Sequence, residues 1–200
     1  MCECEPPILA LSGYEFNGYW VAASSAVNHR AVRGRVIDVT GELLEGIMKG
    51  ESVDHPIIQS TRRWIYEVVV DLNLCPFAQR ELHRDTVRYR VYGGSVPEEL
   101  LTALHEEITT LDDCPEVETC LVIHPNVLRD FVDFNDFLET CQHLLASMDR
   151  VGVYQIASFH PDYQFAGTQP DDAENYTNRS PYPMLHVLRE VSVEQAVATH

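Results

Sequence analysis

Apolar positions change their spacing near residue 60. Before it they keep no sustained period, and glycines at 13, 18, 34, 41, 46 and 50 interrupt them. A strand near Arg35–Val39 and a short helix near Glu42–Met48 are the only elements suggested, so residues 1–59 are expected to form an irregular, partly disordered extension. From Ser60 the periods sharpen. Trp64, Ile65, Val68, Val69 and Leu72 share one face of a helix predicted over Thr61–Leu72, with Ser60 as N-cap and Asn73 ending it. Thr86–Tyr92 alternates, Val87, Tyr89 and Val91 against Arg88, Arg90 and Tyr92, as a half-buried edge strand does. Gly93-Gly94 breaks it, and Ser95-Val-Pro-Glu98 reads as a capping box. The helix behind that box carries Leu100, Leu101, Leu104, Ile108 and Leu111.

The run Thr119–Ile123 is apolar throughout, as a central strand buried on both faces would be. A helix is predicted over Val127–Met148, with Leu128, Phe131, Leu138, Cys141, Leu145 and Met148 in register and an acidic stripe at Asp130, Asp133, Asp136 and Glu139. Val153–Phe159 is the third strand. After a long aperiodic stretch, Ser180 is expected to cap a last helix, with Pro181 at its first position and Met184, Leu185 and Leu188 inward. The order α-β-α-β-α-β-loop-α predicts one small α/β domain over residues 60–200. It is expected to be three-layered, around a mainly parallel sheet of at least three strands.

Composition narrows the partners. The 200 residues carry a formal net charge of −17, which argues against nonspecific binding to nucleic acid or anionic lipid. The six cysteines form no zinc-ribbon spacing, and neither a secretion signal nor a membrane-length apolar run is present, so a reducing, cytoplasmic setting is expected. The sequons at Asn175 and Asn178 are read as chance for the same reason.

The candidate chemistry gathers between Tyr154 and Arg189. Between the strand and the last helix, the chain holds five aromatics, Phe159, Tyr163, Phe165, Tyr176 and Tyr182, among the titratable groups His160, Asp162, Asp171, Asp172, Glu174 and Arg179. Long ordered loops in compact domains are usually functional. Two strands end in His-Pro, at His124 and His160, where ligands bind in open parallel α/β sheets. Asp162 is placed to orient the His160 ring. These three residues could hold a divalent metal ion, or the imidazoles could form an acid–base pair. Cys75 is a candidate nucleophile if Pro76 opens a short helix through Leu82 with Cys75 as its N-cap. Arg179 beside the expected Ser180 helix end, with help from Arg62 or Arg63, would clamp an anion. Tyr163 and Tyr176 would line the pocket. Asp171-Asp172-x-Glu174 is a weaker cation candidate.

The stretches TRRWIYEVVVDLNLCPFA, VIHPNVLRDFVDFNDFLE and SFHPDYQFAGTQPDDAENYTNRSPYPMLHVLRE resemble an uncharacterised, mostly bacterial family catalogued as domain of unknown function 1415. The resemblance covers roughly Thr61 to Val197. It implies that the first sixty residues are an add-on and that the chain ends slightly short of the family's usual C-terminus. It carries no activity. The residues favour a hydrolase or lyase acting on a small anionic metabolite, metal-assisted in one version. The alternatives are a non-catalytic metabolite- or metal-sensing module and an interaction module using the acidic surface and aromatic loop.

Overall fold

The computed structural model describes residues 13–16, 19–22, 55–75 and 77–198. Two short strands, β1 (Gly13–Phe16) and β2 (Tyr19–Ala22), pair antiparallel with Gly13 opposite Ala22. This hairpin lies within the stretch expected to be an irregular extension. The strand and helix expected within residues 35–48 lie outside the described residues.

Helix α1 (Pro56–Trp64) starts earlier than the period suggested. Pro56 presets the first helical dihedral, and the His55 ring caps the turn by accepting from the Ile57 amide, so Ser60 is an interior residue rather than the cap. The helix then widens into a π-helical segment, Ile65–Val70, in which the Asp71 amide reaches back to the Tyr66 carbonyl. Asn73 ends it in the left-handed region, at φ 51°. Helix α2 (Ala78–Arg84) follows, closed by Asp85 at φ 57°.

The larger sheet contains β3 (Val87–Val91), β4 (Thr119–Ile123), β5 (Tyr154–Phe159) and β6 (Met184–Arg189) in the order β3-β4-β6-β5. Only β3 and β4 pair in parallel; β6 runs antiparallel to both β4 and β5. The expected mainly parallel sheet is therefore a mixed one. The predicted last helix is also corrected: Met184–Arg189 is a strand. Leu185 and Val187 go to one face, and Met184 and Leu188 to the other. A strand buried on both faces has no polar alternation, so its apolar run mimics a helical stripe. The helix comes later, as α5 (Glu190–Ala198), and the Glu190 amide donates to the Val153 carbonyl.

Between the strands lie α3 (Pro97–Asp113) and α4 (Phe131–Ser147). The capping box does not form. Val96 is the N-cap of α3, with no side-chain cap, and the Tyr92 hydroxyl contacts Glu99 instead. Gly94 sits against the Tyr92 ring, which leaves no room for a Cβ. Helix α4 begins four residues later than predicted, because Leu128 takes φ 53° and Asp130 caps the helix by accepting from the Val132 and Asp133 amides. The acidic stripe thus contains one structural cap.

One face of the sheet buries Cys120, Val122, Leu185, Val187 and Tyr154 against α3 and α4, notably Leu104, Ile108, Phe134 and Leu145. The other buries Tyr89, Leu121, Ile123, Phe159 and Met184 against Ile58 of α1 and Ile65 and Val69 of the π segment. Among the described residues, no helix is long and apolar enough to cross a membrane.

Candidate functional site

Because β6 separates β4 from β5 and runs antiparallel to each, these two strands run the same way and end at the same end of the sheet. His124 follows β4 and His160 follows β5, on either side of the start of β6. The chain arriving at β6 ties down both ends. The His124 amide donates to the Pro183 carbonyl, the His160 amide to Asn178, and the Ser180 amide returns to the His160 carbonyl. Residues 160–183 are thus the connection of an antiparallel β5–β6 pair, folded over the strand ends.

Both imidazoles are fully buried, at 0% exposure each. They pack against one ring from the first turn of α4: Phe134 lies 5.6 Å from His124 and 5.2 Å from His160, centroid to centroid. Phe131 covers His160 at 5.4 Å and touches Tyr163 at 5.2 Å. The Nδ1 atoms have opposite partners. His124 Nδ1 sits 3.0 Å from the Val127 carbonyl, which can only accept, so that nitrogen carries the proton. His160 Nδ1 lies 3.0 Å from the Asp162 amide, which can only donate, so that nitrogen is unprotonated. In their neutral forms His124 therefore presents a lone pair at Nε2 and His160 presents an N–H. Neither Nε2 has a hydrogen-bond partner.

Burial holds both rings neutral. It pushes His124 down to about 4, against the hydrogen bond to Val127 and with a further lowering from nearby His160. Burial also lowers His160, while the Leu128 carbonyl and the Asp162 and Asp130 carboxylates pull the other way.

Other expected roles change. Asp162 orients His160 through its backbone amide, and its side chain is exposed. No cluster of three metal-ligating side chains exists among the described residues, so His124, His160 and Asp162 do not form the metal site that their spacing suggested. Asp172 uses its carboxylate to accept from the Gln169 amide. Ser180 caps no helix; its hydroxyl donates to the Tyr182 carbonyl. Arg179 is a staple rather than an anion clamp. Its guanidinium donates to the carbonyls of Tyr163 and Pro170 and lies 4.4 Å above the Tyr176 ring. Tyr176 is 53% exposed beneath it. Tyr163 stands between Phe131 and Phe165, in the wall over His160.

Cys75 and Arg62 are not brought to this end of the sheet. Cys75 packs against the cluster of Phe77, Leu188 and Ala196 on the opposite face of the sheet. The N-cap of α2 is Phe77, not Cys75. Burial raises the Cys75 thiol, outweighing the lowering by the Phe77 and Ala78 amides, so the expected activated thiolate is not formed. The Arg62 guanidinium lies 5.7 Å from the Tyr89 ring, also on that face.

Sequence reasoning missed His186 because its stretch read as a helix. The Thr119 hydroxyl donates to the Val187 carbonyl at 2.6 Å, so its 2.7 Å contact with His186 Nε2 uses the histidine proton. A polar residue inside the run MLHVL was the available signal.

Sequence reasoning also missed the keystone of the loop. Asn175, at 0% exposure, accepts from the Phe165 amide and the Thr168 hydroxyl, both at 2.8 Å, and donates to the Gln169 carbonyl at 2.7 Å. Asn178 donates to the Ser158 carbonyl and anchors the loop to β5. Asn175→Leu should take the side-chain partner from the Phe165 amide and the Gln169 carbonyl, while the Thr168 hydroxyl keeps the Phe165 carbonyl, at a cost of about 1–3 kcal/mol. Limited proteolysis checks this: cleavage should begin within residues 160–183 well before the rest of the domain is cut. Uniform resistance would contradict the keystone role.

The chain matches no curated protein and no solved structure. Its helices, mixed sheet and strand-end loop instead fall within the span of one family model, over residues 56–200, and the chain belongs to the family described as protein of unknown function DUF1415.

Proposed function

We propose that this protein is an enzyme of hydrolase or lyase type that uses His124 and His160 as an acid–base pair on a small polar metabolite. The observation that carries the reading is the opposed polarity of the two Nε2 atoms. At neutral pH one can take a proton and the other can give one, without either ring first having to change its protonation. The loop over residues 160–183 serves as lid and wall, and Tyr163, Phe131 and Phe134 supply the apolar sides. Both imidazoles are neutral and Arg179 is committed to loop carbonyls, while Asp130 and Asp162 border His160. An uncharged reacting end suits these surroundings better than the anion first expected.

The test uses asparagine at each position. Asparagine retains a hydrogen-bonding group near Nδ1 and removes Nε2. A panel of small esters, amides and hydroxy compounds is screened for turnover with the native protein. His124→Asn and His160→Asn should each lower kcat by about 10²–10⁴ with folding intact. Turnover undiminished in both variants would refute the assignment. Ligand stabilisation without turnover would move the site to the sensor reading. Nitrogen-15 spectra of labelled histidine give a substrate-independent check: His124 should carry its proton on Nδ1 and His160 on Nε2 at pH 7.

A further inference from the structure

The two edges of the larger sheet are guarded unequally. Strand β3 forms one edge, and its Arg88 and Arg90 carry charge there, paired with Glu106 and Glu107 of α3. Strand β5 forms the other edge, and its sequence, YQIASF, has no charge and no proline. Such an edge invites pairing with another strand unless it is covered. Its outward backbone groups follow from the ladder. The Glu190 amide donates to the Val153 carbonyl, which puts Val153, Gln155, Ala157 and Phe159 on the β6 side. Tyr154, Ile156 and Ser158 therefore turn N–H and C=O away from β6. Tyr154 is taken by the turn before it, through the Arg150 carbonyl and a bridge to Val151. The Ser158 carbonyl accepts from Asn178 of the loop. The Ile156 amide and carbonyl and the Ser158 amide pair with no strand among the described residues.

The N-terminal hairpin stands next to this edge. Cα atoms of β2 come within 8 Å of β5. Both faces of the sheet are already covered, one by α3 and α4, the other by α1, the π segment and α5. A segment beside β5 therefore meets it at its edge. The hairpin needs a neighbour as well, because an isolated two-stranded hairpin is marginally stable in water. Phe16 stands opposite Tyr19, and a two-residue connection closes on a hydrogen bond between its flanking residues. Phe16–Tyr19 and Tyr14–Val21 are then the hydrogen-bonded pairs, and Trp20 and Ala22 turn N–H and C=O outward. Each strand thus offers two outward residues at the same spacing, Ile156 and Ser158 on β5 and Trp20 and Ala22 on β2.

We infer that the outer edge of β5 is a strand-docking site and that the chain's own β1–β2 hairpin occupies it, β2 adding a fifth strand to the larger sheet. The hairpin lies outside the family span of residues 56–200, so this cover is an addition to the family domain. The added strand lies beside Ser158, whose carbonyl holds the loop through Asn178, and it braces the root of that loop. The docking is independent of the acid–base reading of His124 and His160.

Hydrogen–deuterium exchange of single amides, read by NMR on the full chain, tests the docking. The Ile156 and Ser158 amides should be protected in the parent protein. Trp20→Pro removes the outward N–H of Trp20 and leaves the hydrogen-bonded pairs of the hairpin in place. It should speed exchange at Ile156 and Ser158 by about tenfold or more, while Ala157, whose amide faces β6, stays slow. Trp20→Ala keeps the backbone donor and should leave Ile156 and Ser158 protected. Fast exchange at both amides in the parent, exchange unchanged in Trp20→Pro, or equal loss in Trp20→Pro and Trp20→Ala would overturn the inference. Protection that disappears on dilution of the parent would put a second copy of the chain on the edge, and would overturn the hairpin as its occupant. None of these results bears on the histidine pair.

Discussion

Glu107→Ala should destabilise the domain by about 3–5 kcal/mol, one of the largest single effects expected here. Glu107 projects from α3 toward the sheet and is 3% exposed. Its carboxylate takes Arg88 in a two-point pair, Nε at 2.5 Å and a terminal nitrogen at 3.2 Å. The Cys120 thiol, opposite Arg88 across the β3–β4 pair, donates to the same carboxylate at 3.3 Å. One carboxylate therefore fastens an edge strand, a central strand and a helix. Removing it leaves a guanidinium inside without its counter-charge, and that cost exceeds what the pair contributes over an apolar replacement. The double change Arg88→Met with Glu107→Leu should accordingly recover most of the loss. Urea unfolding of the three proteins decides the matter. A Glu107→Ala variant within about 1 kcal/mol of the parent would show that the clamp is solvent-relaxed.

The arginine pair explains why β3 was legible. Arg88 and Arg90 alternate with Val87, Tyr89 and Val91, and each set has its own partner: α3 on one face, α1 on the other. Strand β4 was legible for the opposite reason, since TCLVI is buried on both sides and contains no charge. The same property hid β6. MLHVLR is also buried on both faces, but three of its apolar residues fit a helical stripe, and the preceding Ser-Pro looked like a helix start. Only pairing between β4 and β5 settles its form, and that is a long-range fact. Local signals misled wherever a backbone dihedral intervened, as at Leu128 before α4.

The candidate site divides in the same manner. The His-Pro endings marked two positions at the same end of the sheet, and the structure sets them around a shared phenylalanine. The roles of their neighbours were not readable. Asp162 acts through its amide, Arg179 is used within the loop, and Asn175 fixes that loop although by residue type it is only part of a chance sequon. Each of these depends on which backbone group faces the side chain, and residue type alone does not specify that.

The protein should lose stability steeply between about pH 6.5 and pH 4. In an unfolded chain histidine titrates near 6.5, whereas burial holds His124 at about 4 in the folded protein. As the pH falls below about 6.5 the unfolded chain binds a proton that folded His124 refuses, so unfolding is favoured. The stabilisation is complete above that value and has been lost once the pH has fallen through about 4. A tenfold difference in proton affinity between the two states corresponds to about 1.4 kcal/mol, so His124 alone accounts for about 3 kcal/mol. His186 acts in the same sense, since burial pushes it down to about 4 as well, although its partial exposure reduces its share. His160 adds a smaller contribution of the same sign, limited by Asp162 and Asp130. Glu190 works in the opposite direction, because burial raises its carboxyl. Urea unfolding at pH 7.5 and pH 5 should therefore show a clear loss at pH 5, with His124→Asn flattening the dependence. His186→Gln, which preserves a donor to Thr119, should flatten it further. Stability unchanged across that interval would mean that the strand-end imidazoles are hydrated and charged in solution. The donor–acceptor pairing at the two Nε2 atoms would then fail, and the acid–base reading with it.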